Sequence, residues 1–350
     1  MEINLFFITT MKTKQIQLKY RPEHISEDCF NLVEVDLPPL EVDQVLIKNL
    51  YMSVDPYMRL SMEDGADLDA WKLNSSLDGP SIGVVVETNN KKFKVGDIVE
   101  SMSGWQEHFI SEGDEFIPYM SSNSALKKRF VPESLDPKDY LGLFGISSQC
   151  GYFAVNNATE VKAGETFVVS SGAGNVGMMA SQVAKIKGMR VVSSTGSDKK
   201  VEWLRDVLKI DYAFNYKKVS YEDALSDACP DGIDLALECA SAKHLSACLP
   251  LMNPEKTILL TGLIDIYDNG GKVKDFQNLE YILYSYLTLK SHVFMDYLHF
   301  YDDFIKDITD WYLSGQLIYK EEIITGIENA PEALLSMFEG RSHGKILVSF

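Results

Sequence analysis

Apolar and polar positions follow one rhythm in the first part of this chain and another in the second. Residues 1–130 carry short runs rich in β-branched residues with partial alternation, QIQLKY, NLVEVDL, QVLIKNLYMSV, IGVVVETN and DIVESMS. Such runs, punctuated by Pro, Gly and Asn, predict short strands. Pro38 and Pro39 stop one of them, and the Val-Gly-Asp of KKFKVGDIVE turns into another. From about Pro137 strand-like runs alternate with helix-length segments: ETFVVSS, GNVGMMASQVAKIKG, MRVVSST, SDKKVEWLRDVLKI, YAFNY, SYEDALSDACP, IDLALECA, AKHLSACLPLM and KTILLTGL. That alternation predicts βαβ units and a parallel sheet. In the helix after the glycines, Val176, Met179, Ala180, Val183, Ala184 and Ile186 lie close to i, i+3, i+4, i+7 spacing, and Gly188 is placed to end it. The last fifty residues predict a long amphipathic helix (DDFIKDITDWYLSGQL), a strand EEIITGI, a helix ENAPEALLSMFEG and a closing strand GKILVSF, which suggests a return to the β region.

The predicted organisation is a doubly wound α/β unit over 137–304, inserted in a mainly-β unit made of 1–136 and 305–350. Residues 1–10 are expected to be a disordered leader, because Met11 opens a better strand start. A length of 350 residues suits about two domains.

Composition narrows the classes. The chain has 51 acidic against 33 basic residues, a net charge of −18. Nucleic-acid affinity comes largely from Lys and Arg neutralising phosphates, so neither nucleic acid nor an anionic membrane surface is an expected partner. Five scattered cysteines without a C-x-x-C, no secretory leader and no long apolar run point to a cytoplasmic protein. The six histidines (24, 108, 244, 292, 299 and 343) are isolated, none pairs with a Cys, and no metal site is expected.

The chemistry is carried by SSGAGNVGMMAS (170–181), a G-x-G-x-x-G between a strand and a helix. Gly172 allows the tight turn, Gly174 admits a pyrophosphate close to the backbone, and Gly177 lets helix and strand pack. A cofactor with a bare ribose wants Asp or Glu at the end of the next strand. That strand ends instead in Ser193, Ser194, Thr195 and Gly196, followed by Lys199 and Lys200, with Asp198 the one acid nearby. Small polar residues and cations suit a 2′-phosphate, and the expected cofactor is NADPH/NADP.

These residues, with KNLYMSVDPYMRLSM (48–62), KFKVGDIV and GWQEHF (92–109), FNYK (214–217), CPDGIDL (229–235) and GLIDIYDN (262–269), resemble the zinc-free branch of the medium-chain dehydrogenase/reductases that holds the prostaglandin reductases and 2-alkenal reductases. The resemblance covers nearly everything from Met11 onward. It implies a Rossmann-type sheet inserted in a GroES-like β domain, and NADPH-dependent reduction of the C=C bond of α,β-unsaturated aldehydes and ketones. By the same resemblance Gly174, Asn175, Val176 and Gly177 face the pyrophosphate, and Lys200, Ser194, Gly196 and Tyr216 hold the 2′-phosphate region. It also implies Tyr267 beside the substrate carbonyl, Tyr57 in the substrate pocket, and a homodimer through TLKSHVFM (288–295).

Three positions depart from the family pattern. Cys239 stands where D-N-V-G-G has its asparagine, Cys150 replaces a threonine, and Ser342 replaces the asparagine before G-K. All three are expected around the nicotinamide. Two alternatives share the resemblance: an NADPH quinone oxidoreductase, and an NADPH-binding protein without catalysis.

Overall fold

In the computed structural model the described residues are 11–65, 69–115, 125–267, 272–273 and 276–350. The expected leader, residues 1–10, and the Asp268 and Asn269 of GLIDIYDN lie outside them. The chain divides into two compact units, 1–141 with 323–335 and 346–350, and 142–322 with 336–345.

In the first unit, β1 (Met11–Leu18) and β2 (Phe30–Leu37) pair antiparallel from Met11↔Leu37 to Leu18↔Phe30. Along β2 burial alternates residue by residue, as expected of a strand with one face on the core. Next come β3 (Val45–Ser53), β4 (Ser81–Thr88), β5 (Ile98–Ser101), β6 (His108–Ser111), β7 (Asp114–Glu115) and β8 (Ala125–Arg129). Their inward side chains, among them Val45, Ile47, Val85, Val99, Phe109 and Leu126, form one buried cluster.

The second unit runs α1 (Ile146–Asn156), β9 (Thr166–Val169), α2 (Asn175–Ile186), β10 (Arg190–Thr195), α3 (Asp198–Asp206), β11 (Tyr212–Asn215), α4 (Tyr221–Ala228), β12 (Ile233–Glu238), α5 (Ala242–Cys248), β13 (Met252–Leu260), α6 (Ile264–Tyr267), α7 (Glu280–Tyr284), β14 (Thr288–Ser291) and α8 (Tyr301–Leu313). Among the described residues its six strands are all parallel, in the order β11-β10-β9-β12-β13-β14. β9 is buried along its whole length, because helices cover both faces of such a sheet. The order reverses between β9 and β12. Crossovers leave those two strands in opposite directions, which opens a crevice at their carboxyl ends. α2 ends at Ile186, and Gly188 follows at φ +79°, a left-handed helix stop.

The chain closes with β15 (Glu321–Thr325), α9 (Ala330–Phe338) and β16 (Lys345–Ser349). β16 pairs with β3 through Leu347↔Ser53, so the last strand does return to the first sheet, whose order is β15-β16-β3-β4-β5-β8-β7 with β6 also on β3. This is a Rossmann-type sheet inserted in a GroES-like β unit. Among the described residues no helix is long and apolar enough to cross a membrane.

Candidate active site

The glycine turn follows directly from β9. A Cβ on Gly172 would lie 1.6 Å from Ser193 Oγ, and one on Gly177 would lie 2.5 Å from the Ser171 carbonyl oxygen. Both positions therefore exclude any side chain, and the turn can hug β10. Gly174 is the N-cap of α2 and supplies no capping side chain, so the first-turn amides, beginning at Asn175 and Val176, face outward as an anion site. Asn175 Oδ1 accepts from Ser148 Oγ at 3.4 Å, while Asn175 Nδ2 and Ser193 Oγ are buried with no hydrogen-bond partner among the described residues. Buried polar atoms rarely stay unpaired, and here they flank a strand-end crevice.

At the tip of β10, Ser193, Ser194 and Thr195 are buried, and the Gly172 amide donates to the Ser194 carbonyl at 2.9 Å. Ser197 caps α3, accepting from the Lys200 amide. Lys200 Nζ reaches the Gly340 carbonyl at 2.8 Å, and its pKa is lowered, first by burial and then by the charge of Lys217, with Glu322 opposing. Tyr216 OH lies 3.0 Å from the position a Cβ on Gly196 would take, and its ring stacks on Tyr221 at 5.5 Å between centroids. Ser194, Gly196, Lys200 and Tyr216 are thus brought to one place. Asp198 is engaged elsewhere, by Asn215 Nδ2 at 2.8 Å and by Lys218 Nζ.

The loop after α9 belongs to the same unit. The Gly344 amide donates to the Ala173 carbonyl at 2.8 Å, and the Ser342 amide to the Ser336 carbonyl at 3.3 Å, so Ser342 is held beside the glycine turn. His343 packs edge-on against Trp203 at 4.7 Å. Its pKa is lowered to about 4, first by burial and then by the charges of Lys320, Lys200 and Lys199. In a chain of net charge −18 this is a local excess of positive charge.

The carboxyl end of β12 carries the third group. Glu238 Oε1 accepts from Ser170 Oγ at 2.6 Å and from the Ala240 and Ser241 amides at 2.7 and 2.8 Å, while Oε2 meets His244 Nδ1 at 2.6 Å. Ser170 Oγ in turn accepts from the Cys239 amide at 2.8 Å. Burial disfavours charge on both members of the pair. The field of His244 and the four donors nevertheless hold Glu238 below the usual carboxylate range. Cys248 and Glu238 together raise His244 to about 10 against that burial.

Tyr267 closes α6, half-buried, with its hydroxyl 2.8 Å from where a Cβ on Gly262 would stand. Burial raises its pKa, the Leu263 backbone lowers it, and the sulfurs of Cys239 and Cys150 raise it further. These three residues therefore lie within electrostatic reach of one another. The Cys239 thiol is itself pushed well up by burial, so it stays protonated and inert. The Cys150 carbonyl is 2.8 Å from His292 Nε2. Tyr57 belongs to the first unit, in the 3-10 turn Pro56–Met62 that follows Asp55.

Glu238, His244, His343 and Lys320 escaped the reading of the sequence. An isolated histidine carries no signal of its partner, although Glu238 and His244 are six apart across a strand end, and His343 follows Ser342, already singled out. Among the described residues no three His, Cys, Asp or Glu side chains gather to hold a metal ion.

Comparison with known proteins places these residues in a family. Residues 14–119 match the N-terminal domain of oxidoreductase, and 175–311 match the family described as zinc-binding dehydrogenase. The chain is 33% identical to the NADP(+)-dependent 2-alkenal reductase of Nicotiana tabacum over 97% of each chain. It is 32% identical to prostaglandin reductase 1 of Oryctolagus cuniculus over 92% of this chain and 88% of that protein. The structure of CurA from Vibrio vulnificus in complex with NADPH superposes with a TM-score of 0.88 at 28% identity, over 96% of this chain and 98% of that one. With a doubly wound unit, a side-chain-free glycine turn and relatives aligned over nearly their whole length, the chain belongs to the medium-chain dehydrogenase/reductase family, as an oxidoreductase of the branch of the prostaglandin and 2-alkenal reductases.

Proposed function

We propose that this protein uses NADPH to reduce the C=C bond of α,β-unsaturated aldehydes and ketones. The observation that carries the reading is Tyr267, a half-buried phenol kept protonated beside Cys239 and Cys150, in the unit that also presents the uncapped start of α2. The residues fit the cofactor. Asn175, Val176 and the glycines offer amides and space for a pyrophosphate, and the lysines beside Gly196 offer charge for a 2′-phosphate. When bound, NADPH supplies the hydride that forms the new C–H bond at the β-carbon.

As the π pair moves onto the carbonyl oxygen, Tyr267 donates a hydrogen bond to the developing enolate, the role of an oxyanion-hole donor. A phenol suits this role because it stays neutral well above physiological pH. The proton for the α-carbon comes from Tyr267 or from solvent, leaving a saturated carbonyl and NADP⁺. Cys150 and Cys239, which act on the Tyr267 hydroxyl, are proposed to stand near the nicotinamide, where less polar groups than the family's would alter the range of substrates. The test is NADPH consumption with a panel of 2-alkenals, enones and quinones. Turnover of enals supports the reading, turnover of quinones alone moves it to a quinone oxidoreductase, and bound NADPH with no turnover removes catalysis.

We further propose a homodimer. β14 is the edge of its sheet, exposed at all four residues, and Leu283, Tyr284 and Tyr286 beside it are 71%, 72% and 77% exposed. An unpaired edge flanked by apolar side chains is a template for another strand, and a second copy of β14 would extend the sheet. Light scattering of the intact protein and of a Leu289→Pro variant tests it, with a monomeric wild type refuting it. The five cysteines, all free, suit a cytoplasmic location.

A further inference from the structure

We propose that His343 is a proton-coupled member of the site for the adenosine 2′-phosphate: it takes up a proton as NADP(H) binds, so that preference for NADP(H) over NAD(H) strengthens as the pH falls. The proposal rests on the reading that Lys200 and Tyr216 face that phosphate.

Three features of the molecule support it. The loop that carries His343 is fixed, by Gly344 on Ala173, by Ser342 on Ser336, and by Lys200 Nζ on the Gly340 carbonyl. The imidazole is fixed too, edge-on to Trp203, and its Nε2 is buried with no hydrogen-bond partner among the described residues. The charges around it are mostly positive. α3 contributes Lys199 and Lys200, the segment before β15 contributes Lys320, and Lys217 acts on Lys200 from the turn after β11. Of the acids, Glu322 accepts from the His343 amide at 3.4 Å and also acts on Lys200. Glu321 turns towards Gly142, and Glu339 is paired with Arg341.

An imidazole held neutral by desolvation and by three cations responds strongly to an anion placed among those cations. A phosphate monoester brings a charge of about −1.5 to −2 at neutral pH. It turns the local potential negative and favours the imidazolium. Lysines, already charged, cannot report the anion in this way near neutral pH, whereas a histidine titrates in that range. The cofactor without the 2′-phosphate leaves the cations unopposed and His343 neutral. His343 thereby becomes a specificity-determining residue whose contribution depends on pH.

The experiment is calorimetric titration of the full-length protein with NADP⁺ and with NAD⁺, in pairs of buffers of different ionisation heat, near pH 6 and near pH 8. The same titrations on His343→Leu and His343→Gln isolate this residue. The phosphate's own second ionisation, near 6, releases protons equally in all three proteins and cancels in the difference. Wild type is expected to take up more protons than either variant on binding NADP⁺ near pH 6, and none extra with NAD⁺. By linkage, one additional proton strengthens binding by up to about tenfold for each pH unit of acidification, so the variants' NADP⁺ deficit grows as the pH falls. Equal proton uptake by wild type and variants, with NADP⁺ bound, overturns the proposal. Failure of wild type itself to bind NADP⁺ overturns the cofactor reading beneath it, and shows as absent heat. NMR titration of the wild-type His343 ring, with and without NADP⁺, gives the same answer without a substitution, and an unchanged pKa refutes it.

Discussion

Replacing His244 with leucine removes one side of the buried pair at the end of β12. Both partners are almost wholly buried, at 1% and 2% side-chain exposure, so the carboxylate left behind has no water to turn to. Breaking such a pair typically costs about 3–5 kcal/mol. The raised pKa of His244, which Cys248 and Glu238 produce together against burial, has the sign of such a pair. Three donors remain on Glu238 Oε1 after the substitution, from Ser170, Ala240 and Ser241, and these bring the expected loss nearer about 3 kcal/mol. Glu238→Leu is expected to cost more, because it strips the acceptor from all three as well as from His244.

The pH dependence separates charge from shape. His244 has a raised pKa in the folded state, so its stabilisation is complete below about 6.5 and fades as the pH climbs towards about 10. Glu238 has a lowered pKa, so its share is present above about 4.5 and fades below that. Urea unfolding of wild type and His244→Leu, followed by circular dichroism near pH 6 and near pH 9, measures the gap. It should be about 3 kcal/mol at the lower pH and should narrow by about 1.4 kcal/mol per unit through the alkaline range. A gap below about 1 kcal/mol near pH 6, or one that is the same at both pH values, would refute an ionised pair and leave only a packing role.

Gly172→Ala drives a methyl into Ser193 Oγ, 1.6 Å from the ideal Cβ position. Overpacking of that kind costs about 1–3 kcal/mol, and thermal unfolding should show it together with loss of NADPH binding. Lys200→Met removes a half-buried cation, and NADPH affinity measured by fluorescence should fall by about 1.5–3 kcal/mol while NADH affinity stays unchanged. Equal losses for both cofactors would contradict the 2′-phosphate assignment. Tyr267→Phe should lower kcat for an enal by about 10²-fold, the effect of losing one oxyanion donor, with the KM for NADPH preserved. A change confined to KM would place Tyr267 in binding alone.

The sequence by itself determined the two kinds of architecture, because period-2 runs up to Arg129 and strand–helix alternation after Pro137 are local properties of the chain. It also determined the glycine turn and the cofactor class: Gly172 and Gly177 must lack side chains wherever that turn forms, and STGSDKK ends the next strand with lysines rather than a lone acid. Only the tertiary structure decided which distant residues share a field. The segment 336–345 belongs with the parallel-sheet unit although β16 beyond it pairs with β3, since the Gly344 amide bonds to Ala173. Asp198, which read as an ambiguous acid near the ribose, is turned onto Lys218 and Asn215. Glu238 and His244 find each other across a strand end, and His343 finds Trp203, Lys200 and Lys320. The physical reason is the same in each case. Backbone period and glycine sterics act between neighbours in sequence, whereas burial and Coulomb interaction depend on distances that exist only once the chain has folded.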